Sequence, residues 1–588
     1  METDGVMEVF NPASDQLILV GGRHVVVSPA VHSELPFDVN TLRRNPTLKM
    51  RILTPMLAMM LTVGVSACKV GETPVQKASR EGILLFGNDT EPQALDPHLI
   101  TGYTEQKVLW SLFEGLVALD PETLEPIPGV AETWELSPDG TVYTFHLRQD
   151  AKWSNGDSVT SKDFAFAWER ILTPKLGSEY SYMLHCIKGA KDFNEGKVTD
   201  FSTVGLDASD DHTLVVTLNN PTPYFLSMQV HFTFVPLNRA SIEKVGAVDD
   251  RSNRWTLPEN FVGNGPFKMT AWEPGRIIRT VRNEHYWDAK TVKLNGIDFY
   301  PSGSSLETEE KMFRSGDIHL TSDLLATKVE AYRNEKSPLL NIYPVCGVYF
   351  YRFNVTRKPL DDVRVRMALS LAIDREAIVT RISKGEEPVA FSFVPTDTAG
   401  YTSEHKLVGD VAAAKQLLAE AGYPDGAGMP PVEILFNSSE NHKLIAEAIQ
   451  QMWKDNLNVS VTLTNQEWGV YLSSLTQLNY GIARSAWYAD VLDPINFLEC
   501  FESDSGNNRT GWTNAQYDSL IDQARATVDP AERLAVLQKA EQVLLDESPI
   551  APIYFYTKKF LMSPDVKNVH RNRLAYYNYK FVSVEPAQ

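Results

Sequence analysis

Cysteine is scarce in this chain. Its 588 residues contain four, with no CxxC pair and no Cys/His cluster at zinc spacing. That leaves no sequence grounds for a redox motif or a zinc site. Positive charge is also short: 55 Lys and Arg stand against 75 Asp and Glu, a formal net charge of −20. A field of that sign repels phosphate backbones and anionic lipid, so general nucleic-acid binding is not expected. No run reaches the ~18–20 uncharged apolar residues that span a bilayer, which argues against a polytopic membrane protein. Catalytic signatures are missing too: there is no GxxxxGK[ST], HExxH, GxSxG, GxGxxG or EF-hand loop. Nothing implies a cofactor or a metal. What remains is an ordinary globular balance, 43% hydrophobic and 22% charged. At roughly 100–200 residues per domain, the length predicts three or four domain-sized units.

The most apolar stretch, Ile52 to Ala67, carries no charge and follows Arg43, Arg44, Lys49 and Arg51. Basic region, short apolar region and small residues before a cut site describe a secretory signal peptide over 50–67. Val65-Ser66-Ala67-Cys68 resembles the lipobox of bacterial lipoproteins, in which the Cys becomes the lipidated first residue. The alternative is a short buried helix ending in an unremarkable Cys68. Residues 1–49 hold no Trp or Tyr, whereas all 11 Trp follow Cys68. We read 1–49 as an over-extended or disordered start and 68–82 as lipidated Cys plus polar tether. Cys186, Cys346 and Cys500 allow one disulfide or three isolated thiols; spacing does not choose between these.

The body alternates strands and helices, which predicts an α/β architecture. Thr141–Leu147 alternates as a half-buried strand after the turn Ser137–Gly140. Thr160 and Asp163 flank a helix start. Further helices are predicted at Asp361–Arg381, Val411–Ala421, Ser439–Trp453 and Pro530–Leu545. Strands are predicted at Val432–Phe436, Val459–Thr464, Tyr480–Trp487 and Ile550–Tyr556.

Several segments carry a resemblance. The longest is AETWELSPDGTVYTFHLRQDAKWSNGDSVTSKDFAFAWERI, Ala131 to Ile171. Others are QALDPHL (Gln93–Leu99), LFEGL (Leu112–Leu116), GNGPFKMTAWEPGRIIRTVRNEHYWD (Gly263–Asp288), DVRVRMALSLAIDREAI (Asp362–Ile378), AAKQLLAEAGYP (Ala413–Pro424) and SAWYADVLDPINFL (Ser485–Leu498). Together, and in this order, they resemble the oligopeptide-binding (peptide/nickel) solute-binding proteins of bacterial ABC importers. The resemblance implies a periplasmic-binding-protein-like fold, two main lobes joined by a hinge plus a third inserted lobe. Carried onto this chain, lobe I is 83–113, 241–346 and 562–588, lobe II is 114–240, and lobe III is 347–561. It also implies short peptides as ligands, an ABC permease with its ATPase subunits as partner, a monomer, and membrane contact only through the lipid anchor. The location implied is periplasmic or cell-surface, and the protein is not an enzyme.

A peptide receptor needs a carboxylate, a cation and open strand edges, because unpaired buried polar groups cost about 1–3 kcal/mol each. Asp490 follows a strand and precedes Asp493-Pro494, which reads as a helix cap and first turn, so Asp490 has no evident local task. Its W-x-A-D setting resembles the family Asp that binds the peptide ammonium. Arg484 lies on a strand beside Ile482 and Ala486, where a guanidinium needs a partner. It resembles the position that contacts the peptide carboxylate, and the alternative is an internal ion pair. His442 resembles a residue that helps hold that carboxylate; the alternative is a surface His. Thr101-Gly102-Tyr103 and Ala486-Trp487-Tyr488 resemble edges that pair with peptide backbone by strand addition. Tyr180 resembles a Tyr reaching the ligand from lobe II. Two departures stand out: Leu475 occupies the place of a second Arg, and Tyr488 the place of a Cys.

The rival readings are a same-fold receptor for a murein peptide, metal chelate or sugar, a secreted hydrolase, and a folding helper. Intact-mass analysis of the exported protein is expected to find an acylated N-terminus at Cys68. A mature chain beginning near Met1 would overturn the leader assignment.

Overall fold

The computed structural model describes residues 71–303 and 305–586. Cys68 and the expected leader, 50–67, lie outside them. A helix, Pro74–Glu81, capped by Thr73 and with Ala78 and Ser79 buried, opens the described chain within the expected tether; strand β1 (Ile83–Gly87) and helix α1 (Tyr103–Leu112) follow. The Ser137–Gly140 turn, with Gly140 at φ +73°, joins β2 (Ala131–Leu136) to β3 (Val142–Leu147). Helix α2 (Ser161–Leu172) starts at the expected place: Asp163 accepts the Thr160 N–H at 2.7 Å, the reciprocal half of a capping box. Strands β4 (Leu206–Asp210) and β5 (Thr213–Thr217) complete an antiparallel sheet of order β2-β3-β5-β4. The chain then returns with β6 (Phe267–Glu273), β7 (Ile277–Arg282) and β8 (Gly296–Tyr300). These join β1 in the order β1-β8-β7-β6, β1 and β8 being parallel.

The third sheet opens with the long strand β9 (Leu340–Phe353). Helices α3 (Val363–Leu371) and α4 (Val411–Glu420) precede β10 (Val432–Asn437). Then come α5 (Glu440–Leu457), β11 (Val461–Gln466), α6 (Trp468–Thr476), β12 (Ile482–Tyr488), α7 (Pro530–Glu547) and β13 (Ile550–Leu561). The sheet order is β11-β10-β12-β9-β13, and every residue of β13 is buried. This is the α/β architecture expected, with three main sheets and short two-stranded pairs at their margins.

One predicted helix is divided. The Asp361–Arg381 pattern yields α3, which ends at Leu371, and a separate start at Asp374. Asp374 accepts the N–H of Ala377 at 2.9 Å and so caps a new turn. The buried Arg375 guanidinium donates to the carbonyl of Ser370 at 3.0 Å and to that of Pro552 on β13 at 2.7 Å. It therefore occupies a helix-end carbonyl and ties that end to the sheet. Tyr349, Phe350 and Tyr351 are fully buried in β9, as core.

Several of the motifs quoted above interlock as scaffold. A Cβ on Gly263 would meet the Leu112 carbonyl oxygen at 2.2 Å, and one on Gly265 would meet the Phe113 nitrogen at 2.5 Å. Only glycine permits that approach to the end of α1. Between them, buried Asn264 takes the Glu114 N–H at 3.1 Å and donates to its carbonyl at 2.8 Å. The Trp153-Ser154 loop docks on the same turn, with Ser154 N–H donating to Gly263 at 2.8 Å. Asp96 of the QALDPHL segment holds Arg170 of α2 through two bonds, of 2.6 and 3.0 Å. It also takes the Trp255 indole N–H at 3.0 Å. Burial alone would raise the Asp96 carboxyl, but Arg170 overrides it and holds it below the usual range.

Removing one member of a buried ion pair strands the other. Asp96→Ala is therefore expected to cost about 3–5 kcal/mol in chemical denaturation, and a loss under about 1 kcal/mol would refute this role.

Candidate ligand cavity

The site begins where two strands part. Strand β10 pairs with β12 at Ile482 and Ala483. On its other side β12 pairs with β9 along its whole length. Asn354 N–H donates to Gly481 and Ala489 N–H to Cys346, at 2.9 and 2.8 Å. In an antiparallel ladder, bonded and non-bonded pairs alternate. The backbone groups of Arg484, Ala486 and Tyr488 therefore turn away from β9. The Tyr471 hydroxyl donates to the Arg484 carbonyl. Ala486 and Tyr488 remain as an open edge facing a cavity of about 1480 Å³, its mouth included.

All ten residues singled out from the sequence line this one cavity: Thr101, Gly102, Tyr103, Tyr180, His442, Arg484, Ala486, Trp487, Tyr488 and Asp490. The guanidinium of Arg484 is buried. It donates to the Tyr556 hydroxyl at 2.7 Å and to Asn437 Oδ1 at 3.2 Å, and lies 4.9 Å from the Tyr349 ring centroid. Its Nε has no partner. Among the described residues no carboxylate lies within ion-pair distance, so the internal ion pair considered above is absent. His442, near the start of α5, is half-buried, and its Nδ1 is buried and unpartnered. Burial first, then the Arg484 cation, hold its imidazole well below the ordinary value, so it is neutral at pH 7.

Asp490 does have local neighbours, contrary to the sequence expectation. Its Oδ1 lies 3.2 Å from His231 Nε2, off the hydrogen-bonding direction. Its N–H donates to Asn496 at 2.8 Å, and Asn496 Nδ2 stands 3.5 Å from Oδ2. Asp493 takes the Ile495 N–H at 3.0 Å, the capping role expected of it, and also an Arg533 bond at 2.7 Å.

Tyr180 stacks on Trp487 with ring centroids 6.2 Å apart, and lies 4.9 Å from the His231 ring. Tyr103, Tyr488 and Tyr556 form a stacked column at 5.5 and 4.6 Å. The Thr101–Tyr103 segment is not a strand: Gly102 is extended and Tyr103 opens α1. A Cβ on Gly102 would meet Glu105 Oε2 at 2.1 Å, so a bare backbone lines the wall there. Leu475, in place of a second Arg, is buried in α6 and lines the cavity. Cys186, Cys346 and Cys500 are all unpaired.

Sequence reasoning missed Arg509, Lys107, Lys558 and Tyr556, which also line the cavity. Arg509 pairs with Glu179 and reaches Thr101 Oγ1 at 3.4 Å. The signal available was Lys558-Lys559, two charges continuing an apolar strand past its predicted end.

The family model for bacterial extracellular solute-binding proteins, family 5 (middle), matches residues 125–509. The chain belongs to this family. It is 37% identical over 545 residues to the oligopeptide-binding protein OppA of Bacillus subtilis, covering 89% of this chain and 97% of that one. The crystal structure of Haemophilus influenzae OppA in complex with RPPGFSPFR is 33% identical and superposes with TM-score 0.81, covering 86% and 99%. The unliganded open form of the murein tripeptide binding protein MppA is also 33% identical but superposes at 0.59, covering 86% and 97%. Family members are solute-binding proteins rather than enzymes, and the hydrolase alternative falls.

A buried cation without a counter-charge is a stability cost. Arg484→Met is expected to hold or raise stability, by up to about 1–4 kcal/mol in denaturant titration, since it strands no carboxylate. A destabilisation above about 2 kcal/mol would mean that its tyrosine and asparagine partners are structural.

Proposed function

We propose that this chain is an extracytoplasmic, lipid-anchored receptor that captures short peptides by lobe closure and delivers them to an ABC permease. It works as a monomer, anchored through Cys68, and the permease's ATPase subunits supply the energy. Asp490 holds the peptide ammonium, and Arg484 with neutral His442 holds its carboxylate. Ala486 and Tyr488 add the ligand as a strand, giving affinity without reading side chains. Thr101 and Gly102 face it from the opposite wall, while Tyr103, Tyr180 and Trp487 enclose it. The lobes that close are those assigned above, with Tyr180 contributed by lobe II.

One observation carries this reading. A buried guanidinium with no carboxylate and a buried carboxylate flank the same open strand edge inside one cavity. A zwitterion with a peptide backbone between its charges answers all three demands. The names of relatives point the same way, and the far better superposition on a peptide complex than on an open form supports closure.

Calorimetry tests it. Asp490→Ala is expected to weaken tri- to pentapeptide binding at least about tenfold, roughly 1.4 kcal/mol, with unchanged melting. N-acetylated peptides are expected to bind the unmodified protein equally poorly. Unchanged affinity in both experiments would refute the assignment and favour a ligand without an ammonium.

A further inference from the structure

Two lysines in the cavity have no work in the scheme above. Lys107 of α1 is 1% exposed and Lys558 of β13 is 8% exposed. Both line the cavity. Their ammonium groups lie 5.6 and 5.3 Å from the Tyr103 ring centroid. Among the described residues neither has a hydrogen-bond acceptor or a carboxylate in ion-pair range. The next residue of the same strand shows the contrast: Lys559 pairs with Glu387 at 2.7 Å.

Asp89 and Asp323 line this end of the cavity, and Glu105 and Glu309 lie behind it, none within ion-pair distance of either lysine. Glu309 accepts the Ser322 N–H and hydroxyl, each at 2.7 Å. Asp323 accepts the Leu324 N–H at 2.8 Å. Burial pushes Asp89 up to about 6 and Glu309 up to about 7, so at pH 7 part of their charge is withdrawn. Burial, and then Lys558, lower Lys107 to about 8, which leaves it mostly protonated. Glu105, the remaining acid near Lys107, accepts the Gln93 N–H at 2.8 Å through Oε1, while its Oε2 is buried without a partner. Neither lysine reaches these acids, so two desolvated ammonium groups offer donors that no acceptor within hydrogen-bonding distance takes up.

We propose that Lys107 and Lys558 form a side-chain subsite for a carboxylate of the ligand, so that this receptor favours peptides bearing Asp or Glu. The proposal rests on the peptide-receptor reading. It adds a preference that strand addition alone does not provide. The terminal carboxylate already has Arg484 and His442, so the subsite serves a second, side-chain carboxylate. Tyr103 and Tyr488, stacked beside the lysines, form its apolar wall.

The test compares tetra-alanine with peptides carrying one Glu, one Gln or one Lys at each position in turn. Both free and amidated C-termini are used. At one position Glu is expected to bind about tenfold tighter than Gln, as suits a desolvated charge-assisted contact, and amidation is expected to leave that ratio intact. Lys558→Gln and Lys107→Gln are each expected to erase most of the ratio, with melting curves verifying the fold. The peptide comparison on the unmodified protein stands without them. Equal binding of Glu and Gln at every position, or tighter binding of Lys, would overturn the subsite while tetra-alanine binding keeps the receptor reading. A ratio that vanishes on amidation would also overturn it, as the lysines would then serve the terminus. Failure of every peptide, tetra-alanine included, would overturn both.

Discussion

Two residue pairs, Ile434 with Ile482 and Leu435 with Ala483, join β10 to β12, and the place where that pairing stops determines the rest of the site. Up to Ala483 the strand is an interior member of a five-stranded sheet. Beyond it, one side remains bonded to β9 while the other presents backbone to a cavity. A sheet edge inside a protein is a liability unless something covers it. Here the Tyr471 hydroxyl donates to the first carbonyl, and the wall made by α1 and Gly102 faces the remainder. The same alternation that aims the backbone groups of Ala486 and Tyr488 into the cavity also puts Arg484 and Tyr488 on one face of the strand.

The charges around this edge carry the cost. Arg484 is satisfied only by neutral oxygens, and Lys107 and Lys558 by aromatic faces. Three buried cations elsewhere are answered: Arg170 by Asp96, Lys559 by Glu387, Arg375 by carbonyls. The cations that lack a carboxylate at the cavity are the ones a ligand could complete, the usual trade of stability against function.

How much of this was legible in the sequence differs between scaffold and site. The capping box of Thr160, the turn glycine Gly140 and the strand patterns are local, and local physics predicts them. The broken helix at Ala372–Asp374 was only partly legible: the Asp374 cap is local, but the bond from Arg375 to Pro552 that ties the break to the sheet is long-range. The segments that carried the family resemblance divide in the same way. LFEGL, GNGPF, the Trp153 loop and QALDPHL interlock as junctions, whereas the segment around Trp487–Asp490 borders the ligand space. The ten residues named beforehand do converge. Lys107, Lys558 and Arg509 arrive from three distant segments, and no spacing rule links them. Asp490 looked idle because His231, its neighbour, lies more than two hundred residues away in the chain.

The stacked pair Tyr180 and Trp487 joins a loop near the inserted sheet to the edge of the large one. Trp487 is only 7% exposed, and part of its cover is that tyrosine. Any rearrangement that parts the two surfaces admits water to one indole face. Under the lobe closure proposed above, Trp487 would serve as an optical gauge of that movement, its share of the emission of 11 tryptophans changing in colour and intensity without any attached dye.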